Sequence, residues 1–148
     1  MIYMKALYEF LMESMLVESF NIPSFTVPAM LDLLVCKSVA DVTNFFTDQG
    51  YEEEDHDSNV IFKSIQLLNK ECEFSGVNVK PGIFDNPDKQ EIVDEYGLSN
   101  YNCWVIYMTE GDSQMLIIAG KKHSAEKVLK EFVKGCDRDV DILTSWDK

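Results

Sequence analysis

Two histidines, His56 and His123, are the only imidazoles in the chain, so any general base or acid–base pair built on histidine must use one of them. His56 sits in the run Glu52, Glu53, Glu54, Asp55, His56, Asp57, and His123 directly precedes Ser124 at an expected helix start. Neither has a Gly-X-Ser-X-Gly elbow beside it, and the two His-X-Thr/Ser motifs of paired-histidine phosphoesterases are not both present: His56-Asp57-Ser58 falls in an expected loop, and His123 is followed by a capping Ser124. A small hydrolase-like enzyme using His56 or His123 with nearby carboxylates is therefore an alternative reading and not the leading one.

The acidic run is the densest charge cluster. Calcium loops alternate oxygen ligands around a required glycine and close on a spaced glutamate; this run has neither feature, so no metal is expected there. A solvated loop is the plain reading. If the run has a function, concentrated negative charge suits the steering of a basic partner, which makes Glu52, Glu53, Glu54, Asp55 and Asp57 the candidate partner-binding residues. Four cysteines, Cys36, Cys72, Cys103 and Cys136, are spaced more than thirty residues apart, without the close pairs of zinc or thiol-redox motifs. They read as buried free thiols of a protein in the reducing cytoplasm. Gly120, Lys121 and Lys122 ahead of Ser124 lack the second glycine of a P-loop, so nucleotide binding has little to stand on, and no cofactor is expected.

The charge of the whole chain points the same way. There are 26 acidic and 13 basic residues, a formal net charge of -13. Residues 1–120 carry 20 acids against 6 lysines, whereas residues 121–148 carry 7 basic and 6 acidic residues. Such a surface repels nucleic-acid phosphates and anionic membrane alike. Lys121, Lys122, Lys127, Lys130 and Lys134 then read as the solvated face of a helix.

These groups must be positioned by a fold, and 148 residues with 46% hydrophobic content suffice for one domain with an ordinary core. Residues 38–50 read as a helix, with Ser38 at the N-cap, Val42, Phe45 and Phe46 inward, and Gly50 as the stop. Residues 86–98 read as another, from Asn86 and Pro87 to Gly97 and Leu98. Ser124–Gly135 is the clearest: Ala125, Val128, Leu129, Phe132 and Val133 form one stripe, with Ser124 as its cap. Residues 102–109 and 114–119 form a hairpin through a turn at 110–113, and the unbroken apolar character of the first strand suits a central, two-sided position. Val140–Leu143 is a third strand.

The N-terminal half is expected to be mostly helical. Residues 2–18 form an amphipathic helix with Met4, Met12 and Met15 on it, and a homodimer through that helix is expected. Glu9, Glu13 and Glu18 interrupt its apolar character, against a leader or membrane anchor. Pro23 and Pro28 then separate it from a short helix near Ala29–Cys36. That helix and the next do not make a DNA-reading pair, because the second carries Asp41 and Asp48 and no basic residue. Residues 60–70 read as helix, and 77–84 as a strand pairing with the hairpin.

The expectation is thus an α+β protein, with a helical N-terminal half followed by a small β-β-α-β sheet covered by a helix. Its expected function is that of a non-catalytic acidic interaction module, an inhibitor or regulator of a basic protein. It binds no nucleic acid directly and no membrane. A DNA mimic, with carboxylates in an elongated stripe at duplex spacing, is a further alternative. Lysine occurs twelve times and arginine once, a skew of AT-rich coding that fits a phage or mobile element.

Overall fold

The computed structural model describes residues 21–78, 89–109 and 113–147. Three helices come first, α1 (Val27–Leu34), α2 (Val39–Asp48) and α3 (Ser58–Glu71). Strand β1 (Glu73–Asn78) and helix α4 (Lys89–Tyr96) follow, then β2 (Cys103–Met108), β3 (Gln114–Gly120), α5 (Ser124–Gly135) and β4 (Asp141–Thr144). The architecture is α+β, as the residue pattern implies. The helix expected at 2–18, the homodimer through it and the cap at Asn86 all lie outside the described residues.

Each of the first three helices starts on a side-chain cap that satisfies an otherwise orphaned N–H. Thr26 Oγ1 accepts from Ala29 N, Ser38 Oγ accepts from Asp41 N at 3.0 Å, and Asp57 Oδ1 accepts from Asn59 and Val60 N at 3.1 and 3.2 Å. Pro28 does not separate elements, as expected from sequence; it occupies the first turn of α1, where its missing N–H removes no helical bond. The short helix consequently begins at Val27, earlier than expected. At its far end the carbonyl of Leu34 accepts from Asn69 Nδ2 at 3.0 Å, so α3 closes the C-terminus of α1.

The four strands form one antiparallel sheet in the order β1-β3-β2-β4. Every residue of β2 is buried, in agreement with the central position expected for it. Its alternation divides the core in two. Cys103, Val105 and Tyr107 face α1, α2, α3 and α5; Trp104, Ile106 and Met108 face Ile92 of α4 and Leu98 of the following 3-10 turn, Leu98–Asn100. Gly97, at φ 65°, provides the left-handed turn between α4 and Leu98.

Other boundaries also differ from expectation. The strand placed at 77–84 begins at Glu73 and pairs with β3 from Glu73↔Ala119 to Asn78↔Gln114. The last strand runs Asp141–Thr144. The N-cap position of α5 is held by His123, in helical backbone and without a capping side-chain bond, so Ser124 lies inside the helix and donates to Glu71 Oε2 at 2.6 Å instead. That contact joins α5 to the end of α3. Gly120 lets the two approach: a Cβ there would fall 2.2 Å from Ala125 Cβ and 3.1 Å from the Glu71 carbonyl.

Candidate functional site

The acidic run links α2 to α3 as an ordered structure. Glu53–Asp55 is a 3-10 turn in which Glu52 N donates to Asp55 Oδ2 at 3.1 Å and Asp55 N to the Glu52 carbonyl at 3.0 Å. Asp57 caps α3. Three of the five candidate carboxylates, Glu52 and Asp55 in a reciprocal capping box and Asp57 at the start of α3, thus organise the backbone, while all five residues remain exposed. Glu52, Glu53 and Glu54 make no ion pair among the described residues. Exposed on a fixed turn, they project their field outward.

His56 departs from the solvated-loop expectation. Its ring stacks on Phe46, 4.1 Å between centroids and 15° between planes, and both ring nitrogens are buried without a hydrogen-bond partner among the described residues. Phe46 also meets Phe25, Phe45 and Tyr51 edge-on, so the imidazole completes an aromatic cluster. Leaving polar ring atoms unsatisfied costs about 1–3 kcal/mol apiece, which aromatic packing must offset. The ring pins the acidic turn to α2. Among the described residues no carboxylate hydrogen-bonds to the ring.

His123 is exposed at the start of α5. Among the described residues it is not brought together with His56: His56 lies on Phe46, and the cavity beside β1, the groove between α1 and α3 and the recess on α4 have no histidine in their walls. The basic residues around it are engaged locally. Lys121 Nζ lies 5.7 Å from the Tyr101 ring centroid, Lys130 Nζ lies 5.6 Å from that of Trp146, and Lys130 meets Glu126 at 4.0 Å.

All four thiols are unpaired, and all belong to or pack against the larger core. Burial pushes Cys72 up to about 12, with the neighbouring Cys103 and Glu71 adding to the effect. Burial and then Asp137 push Cys136 up to about 12 as well. Such thiols stay protonated at neutral pH and are poor nucleophiles. Among the described residues, no group of three or more His, Cys, Asp or Glu side chains is placed to hold a metal ion. Among them too, no helix is long and apolar enough to cross a membrane.

A feature the sequence does not announce lies at the edge of the sheet. A cavity of about 190 Å³ opens between β1 and the Tyr96–Tyr101 segment, floored by Val77, Leu98 and Ile117. At its rim Tyr101 Oη donates to Glu73 Oε2 at 2.9 Å. That bond, and secondarily the carboxylate charge, raise the Tyr101 hydroxyl above the ordinary tyrosine value. Known proteins offer no guide to either region: no family model, no curated protein and no solved structure matches the chain.

Proposed function

We propose that this chain is a non-catalytic acidic interaction module, an inhibitor or regulator that docks onto a basic protein. The observation carrying this reading is the ordered turn at Glu52–Asp57, which presents Glu52, Glu53 and Glu54 to solvent with no ion pair among the described residues, in a chain of net charge -13. Concentrated, fixed charge raises the rate of encounter with an oppositely charged surface and selects against acidic competitors. A preordered turn also loses less conformational entropy on docking than a floppy acidic tail would. The orientation of His56 as a packing ring supports a structural duty for the one histidine in this region. Unpaired thiols are in keeping with a reducing cytoplasm as its place of work.

Affinity capture of the whole protein from its native host, with bound proteins identified by mass spectrometry at low and high salt, tests the reading. A basic partner retained at low salt and released at high salt is expected, because screening weakens exposed charge pairs. Replacing Glu52, Glu53 and Glu54 together by glutamine should slow association by about tenfold, within the range by which steering accelerates it. Absence of any salt-sensitive partner, or a partner indifferent to that triple replacement, overturns the assignment.

A further inference from the structure

We infer that β1 and the cavity beside it form a second recognition site, one that takes an extended basic segment of a partner protein by strand addition, with a lysine or arginine side chain in the cavity. The inference rests on the reading of the chain as a module for basic proteins and gives that reading a specific binding mode.

Three observations converge on it. β1 is the terminal strand of the sheet, and among the described residues nothing pairs with its outer edge, so the outward N–H and C=O groups of a six-residue strand are open to a further strand. The opposite edge, β4, is only four residues long. Next, the cavity has the size of a side chain: about 190 Å³ falls below the roughly 300–1,000 Å³ of clefts that enclose a drug-sized ligand. Its composition then selects the side chain. Val77, Leu98 and Ile117 provide an apolar lining for an aliphatic stem, and Glu73 provides a carboxylate at the mouth. Glu73 accepts from Tyr101 through Oε2 and makes no ion pair among the described residues, which leaves Oε1 for an incoming cation. The Tyr101 ring already has one ammonium group near it, that of Lys121, as expected for an aromatic face that attracts cations.

Selection of random displayed peptides on the immobilised full-length protein tests the site. Enriched sequences should carry a lysine or arginine flanked by β-branched or aromatic residues. A synthetic representative should shift the backbone amide signals of residues 73–78. Glu73→Gln keeps an acceptor for Tyr101 but removes the charge, and should weaken the peptide about tenfold, the loss expected of one charge-assisted contact. Ser75→Phe, at an exposed position in the cavity wall, should fill the space and abolish binding while leaving the amide spectrum otherwise folded. The glutamine triple at Glu52, Glu53 and Glu54 should leave this peptide bound within about twofold, since none of the three lines the cavity and salt screens exposed charges. Peptides without a basic consensus, or binding insensitive to both Glu73→Gln and Ser75→Phe, overturn the site. Binding lost in the triple but kept in Glu73→Gln also overturns it, while leaving the acidic turn as the docking surface. Basic peptides that fail to bind wild type at all count against both.

Discussion

The two faces of the sheet are covered very differently. On one, α1, α2, α3 and α5 bring Met30, Leu33, Phe46, Ile61, Ile65, Leu129 and Phe132 against Val105, Tyr107, Leu116 and Ile118, and even the Tyr107 hydroxyl is satisfied, donating to the Phe25 carbonyl at 2.6 Å. On the other, the described cover is Ile92 and Leu98 with half-buried Val93, Tyr96 and Tyr101; it meets β1 at Val77 and through the Tyr101–Glu73 bond, with the cavity left between them. A sheet needs both faces buried where both carry apolar side chains; β2 and β3 carry several on each face, whereas β1 offers one to each, Phe74 to the first and Val77 to the second. Among the described residues, most of the buried apolar packing therefore lies on the first face, and the proposed second recognition site uses the cavity on the other.

The largest test of that contrast is Phe46→Ala. Phe46 is fully buried, touches Phe25, Phe45 and Tyr51 edge-on and carries the stacked His56. Its removal should cost about 3–5 kcal/mol in urea unfolding, from lost transfer and the cavity left behind. Release of His56 should also loosen the acidic turn, visible as faster amide exchange at Glu53–Asp55. Leu98→Ala on the second face should cost less, toward the lower end of the about 2–5 kcal/mol range for such truncations, because the void would open into the existing cavity and admit water. Equal losses at the two sites would mean that the second face is as tightly built as the first.

How much of this could be read from the residues follows the same division. α5 and α2 are legible because their apolar stripes, caps and stops all lie within a dozen residues, and β2 is legible because burial on both sides leaves no polar position in it. β1 begins four residues before its expected start. Glu73, Ser75, Gly76 and Asn78 are exposed at a sheet edge, so no alternation marks them, and pairing with β3 alone makes them a strand. The position of His56 is equally non-local, since its stacking partner lies ten residues upstream on another element. The β1 cavity has no sequence signature at all. Glu73 and Tyr101 are 28 positions apart and meet only because strand order places β1 beside β3, next to the turn that leads into β2.

The smallest expected effect concerns pH and separates the faces chemically, since Cys72 and Cys103 lie in the first-face core and Cys36 and Cys136 pack against it. In the unfolded chain a thiol ionises near its ordinary value of about 8.5. In the folded protein Cys72 and Cys136 hold their protons up to about 12. Below the lower value both states are protonated and these thiols make stability independent of pH. Between the two the folded state alone retains the proton, so stability falls as pH rises through this window. Urea midpoints measured from pH 8 to 11 should decline, and the decline should be shallower in Cys72→Ala and Cys136→Ala than in the wild type once the common contribution of lysines and tyrosines is subtracted. Identical slopes in all three proteins would mean that the two thiols ionise freely in the native state, and that this face admits solvent as readily as the one beside β1.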